Sequence, residues 1–78
     1  MRIEEILPHR EPFLFVDELE HADTRRTVGI HRFRLDEYYF RGHFQGYPVV
    51  PGVLLIELMA QTGGAGLAQA GLLPQAPF

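Results

Sequence analysis

The chain has 78 residues, 46% apolar and 22% charged, which fits one small globular domain or part of one and excludes a disordered polar tail. It contains no Cys, Ser, Lys, Asn or Trp, so disulfides, thiolate metal sites, Cys and Ser nucleophiles and Schiff-base lysines are all ruled out. Seven Arg against ten carboxylates leave a net charge of −3, the wrong sign for a nucleic-acid partner, whose affinity comes from neutralising phosphates. With Thr as the only aliphatic hydroxyl, the chemistry open to the chain is acid–base rather than covalent. The charged opening Met1-Arg2-Ile3-Glu4-Glu5 has no apolar targeting stretch, and a cytoplasmic location is the expectation.

Residues 2–7 have the pattern of a short amphipathic helix that stops at Pro8. A β-hairpin is expected over about 13–34. Its first strand is the run Phe13-Leu14-Phe15-Val16-Asp17-Glu18-Leu19-Glu20, apolar at first and then alternating, and a turn follows at His21-Ala22-Asp23-Thr24. The alternating segment Arg26 to Arg34 is the antiparallel partner, and a slip of phase between Ile30 and Phe33 predicts a bulge near His31. Asp36 to Phe40 reads as a helical turn, and the Gly- and Pro-punctuated stretch 41–51 as an irregular loop carrying His43.

A long helix is expected over about 52–70, with Pro51 at its start. Val53, Leu54, Leu55, Ile56, Leu58 and Met59 place apolar side chains nearly all round it, the mark of a helix buried in protein or spanning a membrane. Glu57 and Gln61 in mid-segment, the clustered glycines and the lack of flanking cationic or aromatic anchors argue against the span. A single hairpin cannot enclose such a helix. The expectation is therefore that the 78 residues are not a complete folding unit.

Two polar residues stand out on this apolar background. Glu57 lies between Leu54-Leu55-Ile56 and Leu58-Met59-Ala60, where burial would raise its pKa. Gln61, one helical turn on, shares its face and can hydrogen-bond the carboxyl; Gly64 and Ala68 continue that face. Either Glu57 serves chemistry there or it faces water through a gap in the wrap. His43 sits among Gly42, Gly46 and Pro48 in a loop suited to presenting a side chain, or is simply exposed. Gly52 opens the long helix, where an unpaired amide N–H can meet a carbonyl oxygen, unless it only completes a Pro-Gly turn. Taken together, a His base, a carboxylic acid and a backbone donor suit removal of a proton α to a carbonyl with loss of a β-hydroxyl. No His pairs with another His or with Glu57 at helical ligand spacing, so no metal and no cofactor are expected.

The segments Ile6-Leu7-Pro8-His9-Arg10-Glu11-Pro12-Phe13-Leu14-Phe15-Val16-Asp17 and Phe40-Arg41-Gly42-His43-Phe44-Gln45-Gly46-Tyr47-Pro48-Val49-Val50-Pro51-Gly52-Val53-Leu54-Leu55-Ile56-Glu57-Leu58-Met59-Ala60-Gln61 resemble the bacterial (3R)-3-hydroxyacyl acyl-carrier-protein dehydratases of fatty-acid synthesis. The resemblance implies an α+β hotdog fold, in which an antiparallel sheet wraps a long central helix. It also implies that strands follow that helix, so that this chain is the N-terminal portion of a single hotdog domain. A related branch that also isomerises the double bond carries Asp at the acid position, and Glu57 points to the dehydratase-only branch.

By the same resemblance the protein forms homodimers, or trimers of dimers, with active sites at the dimer seam. There His43 removes the C2 proton, Glu57 of the other subunit protonates the departing hydroxyl, Gly52 N–H holds the thioester carbonyl and Gln61 orients Glu57. Phe44, Tyr47 and Val50 line the substrate channel. The implied partner is acyl carrier protein, which is acidic, with Arg25, Arg26, Arg32, Arg34 and Arg41 as candidate contacts or as ordinary solvated charges. The alternatives are a non-catalytic acyl-thioester-binding hotdog module, an inactive fragment, and a hotdog thioesterase.

Overall fold

A computed structural model describes residues 2–71. The first helix, α1, runs Ile3–Ile6. Its start is closed by Glu5, whose carboxylate accepts the Arg2 N–H at 2.9 Å. Its end is dictated by Pro8, which forces Leu7 into an extended conformation (φ −106°, ψ 142°). The guanidinium of Arg10 ties down the chain that follows, donating to the carbonyls of Leu7 (2.9 Å), His9 (2.6 Å) and Glu4 (3.0 Å).

Two antiparallel strands come next, β1 (Glu18–Ala22) and β2 (Thr27–Ile30). The ladder is shorter than the hairpin expected over about 13–34, for reasons found at its open end, where Glu18 pairs with Ile30. Phe13 to Val16 is not a strand: the Phe13 carbonyl and the Phe15 N–H, which a ladder would use, are both taken by the side chain of Gln61. Beside it Asp17 replaces the ladder beyond Ile30, its carboxylate accepting the Arg32 N–H at 2.8 Å and meeting His31 Nδ1 at 3.2 Å. The register slips between Leu19 and His21, so the irregularity lies in β1 rather than near His31. The strands turn at Asp23, whose Oδ1 accepts the Arg25 and Arg26 N–H groups at 2.7 and 2.8 Å.

A 3₁₀ turn at Tyr38–Arg41 carries the buried Phe40, and the loop containing His43 follows. The second helix, α2, spans Gly52–Gln69. It crosses the hairpin so closely that a β-carbon on Gly66 would overlap the side chain of Thr27. Ala65 joins Ile3, Leu7 and Val16 in the core, with Leu14, Leu19 and Leu58 packed around them.

These elements are the helix-against-antiparallel-sheet arrangement of the hotdog class, in part: a long helix on a two-stranded sheet. Among the described residues only one side of α2 is covered, while Val53, Ile56 and Met59 are exposed. The expectation of a helix buried all round is therefore not met by this hairpin alone, because two short strands reach only one face of the helix. No helix of the described residues is long and apolar enough to cross a membrane. The stretch Leu73 to Phe78, turn-like by its two prolines, lies outside the described residues.

Gly66→Ala tests the close crossing. Helix propensity alone would favour Ala by about 1 kcal/mol, but overpacking against Thr27 costs about 1–3 kcal/mol. The thermal midpoint should fall, and a rise would show that α2 and β2 are not in close contact at this point. The turn at Asp23 predicts a pH effect. Hydrogen bonds from the Arg25 N–H, the His21 ring and the Arg26 N–H, in that order of importance, hold the carboxyl down at about 2, from an ordinary 3.8. A carboxyl lowered on folding contributes stability above its unfolded pKa and loses it as the pH falls through the folded value. Asp23→Ala should therefore lower the midpoint above pH about 4 and converge with the parent near pH about 2, measured by thermal unfolding across that range.

Candidate active site

The geometry around Glu57 is built by α2 and by the segment before β1. Gln61 is 2% exposed, buried under Phe13 to Phe15. Its Oε1 accepts the Phe15 N–H at 2.8 Å, and its Nε2 donates to the Phe13 carbonyl at 2.9 Å. Those two contacts leave the amide one orientation, because an N–H needs an oxygen and a carbonyl needs a donor. The second Nε2 proton is thereby aimed at Glu57 Oε2, 3.1 Å away. The helical spacing of four residues brings the two side chains together, and the buried backbone makes the contact directional.

Glu57 is less enclosed than its apolar neighbours in sequence imply, with its side chain 31% exposed. The adjoining Val53 and Ile56 also face outwards. On the same carboxylate oxygen the structure places a residue that the sequence gives no reason to pair with it: His9, whose Nε2 lies 3.9 Å from Glu57 Oε2. The only sequence signal for His9 is its place between Pro8 and Arg10, and its approach to Glu57 depends on α1 packing against α2.

His43 is held by a doubled contact to one residue. Its carbonyl accepts the Val49 N–H at 2.9 Å, and its ring Nδ1 donates to the Val49 carbonyl at 2.8 Å. A carbonyl can only accept, so Nδ1 carries the proton and Nε2 keeps its lone pair. Between the two residues the chain doubles back, Phe44 and Tyr47 exchanging backbone hydrogen bonds of 2.9 and 2.8 Å. Gly46 sits at φ +70° in that turn, a conformation open to glycine and costly for a larger residue. The imidazole stacks on the Phe44 ring at a centroid distance of 4.2 Å.

Gly52 is the first residue of α2, so its N–H has no partner within the helix, and no atom lies within 4 Å of where its β-carbon would stand. The approach to that amide is open. Of the expected channel residues, Phe44 (53% exposed) and Tyr47 (72% exposed) lie on the surface and Val50 is half-buried. Gln61 and Glu57 are thus brought together. Among the described residues no hydrogen bond or ion pair joins His43 to Glu57. No group of three His, Asp or Glu side chains capable of holding a metal is present among them either.

The profile of the FabA-like domain matches residues 7–76. A 3-hydroxyacyl-acyl-carrier-protein dehydratase FabZ of Pelotomaculum thermopropionicum is 54% identical over 67 residues, which is 85% of this chain and 48% of the relative. The same-named protein of Geobacter metallireducens is 54% identical over 63 residues, covering 80% and 42% of the two chains. That of Halalkalibacterium halodurans is 48% identical over 66 residues, covering 83% and 47%. The chain spans about half the length of the curated relatives it matches.

The clamp at Gln61 makes a direct prediction. Gln61→Leu strands a buried N–H at Phe15 and a carbonyl at Phe13, each costing about 1–3 kcal/mol. Chemical unfolding should show a loss of about 2–6 kcal/mol. An unchanged midpoint would mean that the amide does not tie α2 to the 13–15 segment.

Proposed function

Because the chain belongs to the FabA-like domain family, we propose that its residues catalyse the dehydration of a (3R)-3-hydroxyacyl thioester on acyl carrier protein to the trans-2-enoyl thioester, in fatty-acid synthesis. The observation that carries the reading is the tautomer of His43: with Nδ1–H committed to the Val49 carbonyl, Nε2 is a free base on a held imidazole. The names of the relatives supply the substrate class.

In this mechanism His43 Nε2 takes the proton from C2. The electron pair of that C–H bond becomes the C2–C3 double bond as the C3–O bond breaks. Glu57 delivers a proton to the departing oxygen, which leaves as water, and the Gly52 N–H stabilises the negative charge that builds on the thioester carbonyl. The cycle closes when His43 loses the proton it gained and Glu57 regains the one it gave. Gln61 acts through Glu57 by fixing the orientation of its carboxyl. Phe44, Tyr47 and Val50 form part of the channel wall.

The resemblance to the dehydratases supports a site shared between two copies, the His of one subunit working with Glu57 of the other. Homodimers, or trimers of dimers, are the corresponding assembly, and the cytoplasm the corresponding location. Arg25, Arg26, Arg32, Arg34 and Arg41 are candidate contacts for the acidic carrier protein.

The test is the ultraviolet loss of the enoyl group when the complete protein meets trans-2-butenoyl acyl carrier protein. Glu57→Gln and His43→Ala should each slow it by about 10²- to 10⁴-fold while leaving the fold intact. Mixing the two inactive variants should restore part of the rate through hybrid sites. Release of free thiol in place of hydration would identify a thioesterase, and binding without either product an acyl-thioester-binding module. Full activity in His43→Ala would remove His43 as the base.

A further inference from the structure

His9 is unused by the mechanism above, yet it faces the acid. Its side chain is 18% exposed, its Nε2 lies 3.9 Å from Glu57 Oε2, and its Nδ1 is buried with no hydrogen-bond partner among the described residues. We propose that His9 is a positioning residue for the Glu57 carboxyl, its Nε2–H and the Gln61 Nε2–H converging on Oε2 so that the transferable proton is held on Oε1. This rests on the reading of Glu57 as the general acid.

The tautomer follows from burial. A buried ring nitrogen without a partner costs less as a lone pair than as an N–H with nothing to receive it. Nδ1 therefore takes the lone pair and Nε2 the proton, which puts the donor on the side of Glu57. A carboxylic acid carries its proton on one oxygen and accepts with the other. The Gln61 donor at 3.1 Å makes Oε2 the accepting oxygen, and His9 Nε2, 3.9 Å from the same atom, is the second donor that closes on it, leaving the acidic proton on Oε1.

The same tautomer excludes His9 as the base, since its lone pair points into the protein. At 3.9 Å the imidazole stands just beyond direct hydrogen-bonding range of the carboxylate, and a small rotation of either group closes the gap as substrate seats. The backbone beneath the imidazole is anchored, because Arg10 binds the carbonyls of Leu7, His9 and Glu4. The α1–Arg10 segment thus acts as a buttress for a side chain on α2.

The test compares His9→Gln with His9→Asn in the complete protein, using the butenoyl-thioester assay with thermal unfolding alongside. The longer amide of Gln reaches the place of Nε2, whereas that of Asn reaches only the place of Nδ1. His9→Gln should keep kcat within about 3-fold of the parent, and His9→Asn should lose about 10- to 100-fold, the scale of a misplaced catalytic group. KM should move less than about 2-fold in both, because the carboxyl's proton geometry affects the reaction step rather than binding. Equal kcat values for the two variants, or a loss that tracks their unfolding midpoints, would overturn the positioning role while leaving dehydration in place. A parent protein without hydratase activity would remove the acid itself and the role of His9 with it.

Discussion

The side-chain amide of Gln61 is bonded on both of its polar atoms: one oxygen receives the Phe15 N–H, and two protons go to the Phe13 carbonyl and to Glu57. Buried at 2% exposure, it cannot exchange those partners for water without loss. The rest of the structure depends on this clamp. It replaces strand pairing over the apolar run before β1, fixes the height at which that run crosses α2, and gives Glu57 a donor whose direction is determined by the backbone. A residue that looks like a local helix neighbour of the acid is therefore also the long-range contact that holds the fold's first half to its helix.

Close approach completes the attachment. Gly66 lets α2 come against Thr27 of β2 with no side chain between them, while Ala65, one residue earlier, enters the core with Ile3, Leu7 and Val16. Small residues on this stretch of helix are thus a packing device that brings the helix down onto the sheet. Larger apolar residues on the other side, Val53, Ile56 and Met59, remain uncovered by the described residues.

Two groups of functional side chains result, each fixed by different means. His43 is set by its own loop, through bonds to Val49 that span six residues. Glu57 is set by contacts from far along the chain, through Gln61 to Phe13 and Phe15 and through its approach to His9. The proposed base, His43, can thus be preorganised by a single turn, whereas the setting of Glu57 depends on the packing of α1 and α2. Changes in the segment around Arg10 bear on the acid although they lie far from it in sequence.

Much of this was legible from residue order. Pro8 stops the first helix, the Pro51–Gly52 step starts the second, and the four-residue spacing of Glu57 and Gln61 puts the pair on one face, all by local rules of backbone geometry and helical period. The motif order around His43 and Glu57 was enough to point to the hotdog class. The strand expected over Phe13 to Val16 does not form because its β-pattern is real but its hydrogen-bonding groups are claimed by Gln61, 46 residues away from Phe15. The exposure of Glu57, open between burial and a gap in the wrap on sequence alone, is settled by packing, because periodicity reports which faces are apolar and only tertiary structure decides which of them the chain covers. His9 gave no signal because nothing local distinguishes a histidine in a turn from one aimed at a carboxylate. Residue order by itself determined the two helices and the place of the hairpin, which follow from local backbone geometry, and the order of motifs around His43 and Glu57 pointed to the family by resemblance. Which buried amide holds the acid, and which imidazole stands behind it, was decided only when α1 and the 13–15 segment packed against α2, because hydrogen bonds between distant segments exist only once the chain has brought them together.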